Sequence, residues 1–252
     1  MKILLKFLAL LLVVLFSKPI LATTLIFEAG FGQDKATWKS LVEQFPANAE
    51  FTIVTYTRPS IINSETGPST IEQDVNFLIN KIKQTSDDKI ILVGHSYGGL
   101  IVTEAAQQVP DLVDGIVLLE PTVRSQRQHF KAIDSQRISD DDALLKQFLP
   151  EPLKAQYDVL VRQLDQSSID TRALPEDLPV VIFTSTQIRK EPMFFEETKQ
   201  GKQQWLSLHQ ALVAKSKEVI HVRSSQFGHN THKEIAEQVA QFIHLLNKKI
   251  DK

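Results

Sequence analysis

Hydrophobic positions along this chain alternate between short continuous runs and stripes that recur every three or four residues. Thr24–Glu28 (TLIFE) is a run of the first kind. It is closed by the glycine-containing loop Ala29–Gly32 and predicts a buried strand. Trp38, Leu41, Val42 and Phe45 then recur at helical spacing until Pro46 ends the element. Phe51–Tyr56 (FTIVTY), β-branched and aromatic, predicts a second strand, with a polar loop over 57–68 behind it. Ser69 and Glu72 form a capping-box pattern, and Ile71, Val75, Leu78 and Ile82 lay one apolar stripe on the helix that follows. Lys89–Val93 (KIILV) and Gly115–Leu119 (GIVLL) predict strands on either side of a helix over Tyr97–Val109. This alternation calls for an α/β fold, a mostly parallel sheet covered on both faces.

The rhythm breaks over 122–177, which is polar and carries helical patterns such as Leu153, Tyr157, Leu160, Val161 and Leu164. Strand character returns at Pro179–Thr184 (PVVIFT). A helix is expected around Gln203–Lys215, then a strand at Val219–Arg223 and a last amphipathic helix carrying Ile235, Val239, Phe242, Ile243 and Leu246. The simplest organisation is one α/β core, 23–121 and 178–252, interrupted by a helical insertion at 122–177. Residues 1–22 stand apart. Lys2 and Lys6 precede an unbroken apolar run, Phe7–Phe16, too short for a bilayer core that takes about 20 helical residues. A secretory signal peptide ending near Ala22 is the expectation, with export to the periplasm or the medium and no stable membrane span.

Composition narrows the chemistry. The 252 residues include no Cys, which removes thiol nucleophiles, Cys-based metal sites and disulfides. Loss of Lys2, Lys6 and Lys18 with the leader would make the mature chain more acidic than the formal −2, so no nucleic-acid partner is expected. There is no Walker loop and no His-Glu-x-x-His, so no cofactor or metal is expected either.

The candidate chemistry gathers at Gly94–Gly99 (GHSYGG), directly after one predicted strand and directly before a helix. A serine at such a turn projects its hydroxyl above the sheet edge, and Gly94 and Gly98 let the chain reverse there. Ser96 is thus the candidate nucleophile, and the Tyr97 N–H at the helix start is offered to a developing oxyanion. Serine needs a base. His229, between the last strand and the last helix, is the first candidate and His232 the nearest competitor. His221 and His244 read as structural, and His95 is expected to pack. A second oxyanion donor is expected from the Phe31 N–H in Ala29-Gly30-Phe31-Gly32. The acid is less sharply marked. Past Thr184 no carboxylate occurs until Glu191, whereas Glu120 ends the strand before the insertion; Glu120 is preferred and Glu191 is the alternative.

The pieces Phe27–Gly32, Tyr56–Pro59, Gly94–Gly99, Leu118–Pro121 and Gly228-His229 together resemble the α/β-hydrolase superfamily, over nearly all of the chain after residue 22. The resemblance is to the branch with a Glu-Ala-Gly oxyanion loop. It implies a helical cap at 122–177, and the Leu-Glu-Pro placement resembles lipases whose acid follows the strand after the nucleophile strand. Taken with the leader and the candidate triad, the function expected is an exported serine hydrolase cleaving carboxylic esters through an acyl-enzyme, and Phe31, Tyr97 and the apolar cap positions suggest a small or medium apolar acyl group. The alternative is a catalytically silent relative that binds a ligand or partner through its cap.

Overall fold

Six parallel strands form one sheet in the order β2-β1-β3-β4-β5-β6 in the computed structural model, which describes residues 23–46, 50–62, 67–85 and 89–250. The strands are β1 (Thr23–Glu28), β2 (Phe51–Thr55), β3 (Lys89–His95), β4 (Gly115–Leu119), β5 (Val180–Ser185) and β6 (Val219–Ser224). The leader expected at 1–22 lies outside the described residues. The six longer helices are α1 (Ile71–Gln84), α2 (Tyr97–Gln108), α3 (Gln126–Phe148), α4 (Glu151–Asp165), α5 (Lys199–Leu212) and α6 (Ala236–Ile250). Among the described residues no helix is long and apolar enough to cross a membrane.

The continuous apolar runs make the central strands because both sheet faces are covered. On β1, Ile26 points into a core built with α1, α2 and α5, while Leu25 and Phe27 point into a second core with Trp38, Leu41 and α6. Neighbouring strands repeat this alternation: Leu92 and Leu118 join the first core, Val93 and Leu119 the second. Register then aligns the carboxyl ends, where Glu28 pairs with Gly94 and His95 with Leu119. The residues just past these ends, Ser96 and Glu120, therefore emerge side by side on one edge.

Two expected details move. The capping box on α1 is Thr70 with Gln73, one residue later than the Ser69–Glu72 pattern. The Gln73 N–H donates to Thr70 Oγ1 at 3.2 Å and the Thr70 N–H to Gln73 Oε1 at 2.8 Å. Ser69 and Glu72 are drawn off by tertiary partners: the Ser69 N–H donates to Gln156 Oε1 on α4, and Gln163 Nε2 and Arg124 donate to Glu72. Helix α5 begins at Lys199, four residues before the expected start, because Thr198 caps it by accepting from the Gly201 N–H at 3.0 Å. The apolar stripe marks only the buried part of that helix.

Between β4 and β5 the chain forms α3 and α4. Helix α4 is tied to the N-terminus of α1 by Gln156, bonded to both the Ser69 N–H and its carbonyl, and by Gln163 Oε1, which accepts from the Ile71 N–H. The pair lies over the carboxyl edge of the sheet.

Candidate active site

Strand β3 ends at His95 and α2 starts at Tyr97, so Ser96 alone must reverse the chain. Its φ of +52° lies in the left-handed region, where a non-glycine residue costs about 1–3 kcal/mol. Hydrogen bonds hold it there. The Ser96 N–H donates to Leu119 O at 3.0 Å, and Ser96 O accepts from the N–H groups of Gly99 and Thr122. The helix can dock this tightly only on glycine. A Cβ at Gly98 would stand 2.1 Å from Glu28 O and 2.6 Å from Ala29 O. Ser96 lines a cavity of about 250 Å³ between the sheet edge and helices α3 and α4, together with Phe31, Tyr97 and Tyr157.

Glu120 also takes a positive φ, +49°, which turns its carboxylate back over the edge where it is fully buried. One oxygen, Oε1, accepts from the Ser185 N–H at 2.6 Å and from Trp205 Nε1 at 3.3 Å. The other, Oε2, faces His229 Nδ1 and Lys202 Nζ, each at 3.5 Å, and has no closer partner among the described residues. Burial pushes the Glu120 carboxyl up, but the imidazole and the Lys202 ammonium outweigh it and hold the pKa below its ordinary value. For His229 burial works against the charged form, yet the Glu120 and Glu196 carboxylates prevail and the pKa is raised. With Nδ1 turned to a carboxylate, the proton belongs on Nδ1 and Nε2 is left as the basic nitrogen. Glu191 is elsewhere: it is exposed and lines a separate surface cavity with Gln187, Arg189 and Glu234.

The loop after β1 is held by a buried cation. Arg58 donates to Glu28 Oε1 at 2.5 Å, to Ala29 O at 2.6 Å and to Gly30 O at 2.6 Å, and Tyr56 Oη also donates to Glu28. In a trans peptide the N–H lies opposite the C=O. Anchoring Gly30 O on Arg58 therefore turns the Phe31 N–H the other way. Phe31 and Tyr97 line the same cavity as Ser96, with ring centroids 6.4 Å apart.

The other histidines are held by partners of their own, although His232 Nδ1 is buried without a hydrogen-bond partner among the described residues. His95 is buried and donates through Nε2 to His229 O at 2.9 Å; burial holds its pKa well below the ordinary value, so it stays neutral. It packs, as expected, but what it packs on is the backbone of the candidate base. His232 is buried with Nε2 2.9 Å from Thr37 Oγ1. His209 donates to Pro121 O at 2.8 Å, and the Thr184 hydroxyl bridges it to His221. Arg58, Lys202, Trp205 and Ser185 also hold the site, and none of them is among the site residues expected from the sequence. Arg58 alone carried a signal, in the motif Tyr56–Pro59; the others reach the site from β5 and α5 through the fold.

A model of the family described as alpha/beta hydrolase fold matches residues 23–169. The chain is 26% identical over 213 residues to the uncharacterized protein YqjL of Bacillus subtilis (strain 168), covering 83% of this chain and 77% of that protein. It is 34% identical over 79 residues to Lipase LipV of Mycobacterium tuberculosis (strain ATCC 25618 / H37Rv), covering 31% of this chain and 27% of that protein. Among solved structures it resembles alpha/beta hydrolase domain-containing protein 10 from mouse, with a TM-score of 0.60 and 15% identity over 90% of each chain. Given the parallel sheet, the serine reversed between β3 and α2, and a family match over more than half its length, this chain belongs to the alpha/beta hydrolase fold family.

Proposed function

We propose that this protein is an exported serine hydrolase that cleaves carboxylic esters through an acyl-enzyme, with Ser96, His229 and Glu120 as its triad. The observation that carries the reading is the buried Glu120 carboxylate facing His229 Nδ1 at 3.5 Å, on the sheet edge where Ser96 emerges. Ser96 Oγ attacks the ester carbonyl as His229 Nε2 takes its proton, and the oxyanion is received by the Phe31 and Tyr97 N–H groups. The carbon–oxygen bond to the alcohol then breaks and His229 returns the proton to the leaving oxygen. Water, deprotonated by His229, attacks the acyl-serine and frees the acid and Ser96. Residues 122–177 act as a cap over the site, and 1–22 as a cleaved leader. The name of LipV supports ester substrates.

The test is labelling by a fluorophosphonate probe. The folded wild type should react and Ser96→Ala should not. Absence of labelling on folded wild type would falsify the enzyme reading in favour of a silent binding protein. Export is checked by the mass of protein recovered outside the cytoplasm, which should lack about the first 22 residues; recovery with Met1 intact contradicts it.

A further inference from the structure

The cavity over Ser96 is lined by three carboxylates, and two of them are already engaged. Asp142 accepts from both terminal nitrogens of Arg127, at 2.9 and 2.5 Å, and from Tyr157 Oη at 2.7 Å. Asp141 accepts from Arg137 Nε at 2.7 Å and from the Phe195 N–H at 2.6 Å. Arg127 is itself spent, since its Nε donates to Asp165 at 2.7 Å. No guanidinium edge in the cavity is therefore left for an anionic substrate group.

Glu196 differs. It is half-buried in the turn before α5 and lines the same cavity as Ser96, yet no hydrogen bond or ion pair reaches its carboxylate among the described residues. Its charge already acts on the His229 imidazole, but a cavity-wall carboxylate that accepts no hydrogen bond still offers its oxygens to a group that enters. Aromatic rings line the same space, Phe31, Phe130, Tyr157 and Phe194, beside aliphatic side chains such as Leu145 and Leu160. Aromatic faces with one carboxylate receive a bulky, weakly hydrated cation better than a neutral alkyl group of the same shape.

We propose that Glu196 is a specificity-determining residue that selects esters carrying a quaternary or protonated amine, on the alcohol or the acyl side, over neutral and anionic esters. This rests on the serine-hydrolase reading of the same cavity. The attraction is that of a partly solvated charge pair near 4–6 Å, which corresponds to a preference of about five- to tenfold in kcat/KM.

The experiment compares isosteric pairs. Butyrylcholine is paired with the butyrate ester in which a quaternary carbon replaces the nitrogen. The para-nitrophenyl ester of trimethylammoniobutyrate is paired with its own carbon isostere. Wild type should prefer the cationic member of at least one pair about five- to tenfold. Glu196→Gln should bring that ratio close to one, and Glu196→Asp should keep most of it. Equal rates for both members of both pairs, or a ratio unchanged in Glu196→Gln, overturns the proposal. In those cases Ser96-dependent turnover of the neutral esters leaves the hydrolase reading intact. Fluorophosphonate labelling of Ser96 without hydrolysis of any of the four esters overturns this proposal alone, and absence of both labelling and hydrolysis overturns both readings together.

Discussion

At the scale of single residues, Glu120 shows how one side chain is given two duties. Its Oε1 is fixed by the Ser185 N–H and Trp205, so that Oε2 is presented to His229 and Lys202. Ser185 stands at the end of β5, where the sequence offers no carboxylate before Glu191. It serves the carboxylate of the neighbouring strand instead, and its Oγ donates to Phe227 O at 2.7 Å in the loop that carries His229. Replacing Glu120 by Gln keeps the shape and removes the charge. We expect kcat to fall by about 10²–10⁴-fold, as when a base loses the partner that sets its tautomer. The pH profile gives a second readout. His229 must be neutral to accept a proton, so kcat/KM of wild type should fall as pH drops through its raised pKa. In Glu120→Gln the residual activity should show that limb at lower pH. A limb that stays in place contradicts the pairing, and equal loss in Glu191→Gln would point to the other carboxylate.

At the scale of elements, the turn between β3 and α2 is a junction rather than a local feature. Ser96 is held by Leu119 O of β4, and the first turn of α2 lies against the carbonyls of Glu28 and Ala29 at the end of β1. Gly98→Ala would drive a methyl group into backbone, which cannot swing aside as a side chain does. We expect a loss of about 3 kcal/mol or more in urea denaturation, at the upper end of overpacking effects, with activity falling in the protein that still folds. A midpoint equal to wild type contradicts this close approach. The glycines of GHSYGG were legible in the sequence, and so was the strand-to-helix change around them. The exact capping residues of α1 were not, because Ser69 and Glu72 match the local rule but are taken by α4 and Arg124. Capping rules describe a helix end in water, and here another helix is the solvent.

At the scale of the whole molecule, buried histidines shape the response to acid. Burial lowers the pKa of His209 and His221 to about 4 and of His232 to about 3. In the unfolded chain each takes up its proton near 6.5. Their contribution to stability is therefore complete above about pH 6.5 and is lost as pH falls toward 4, because the unfolded chain binds protons that the folded one refuses. His229, with its raised pKa, acts in the opposite sense: its contribution is present at low pH and is lost as pH rises through the folded value. His95, whose pKa burial also lowers, adds to them, and four groups against one favour acid destabilisation. The urea midpoint should be highest near neutrality and decline steadily from about pH 6.5 to 4.5. A flat midpoint over that interval would show that these imidazoles accept protons without unfolding.

What the sequence determined by itself is whatever neighbours in the chain can encode. The run-and-stripe alternation carries the six strands and the helices that cover them, and GHSYGG carries the reversal at Ser96. The loop positions of Phe31 and His229 follow from the strands that precede them. Tertiary structure decided which groups meet. Glu120 rather than Glu191 faces His229 because strand register brings the end of β4 beside the end of β3, while Glu191 is carried off on an exposed loop. Arg58 reaches three acceptors on the β1 loop only because β2 lies next to β1. Of the three acidic residues in the cavity wall, pairing across α3, α4 and the turn before α5 engages two and leaves Glu196 for a substrate. Register, burial and charge pairing are relations between distant parts of the chain, and no local pattern of residues records them.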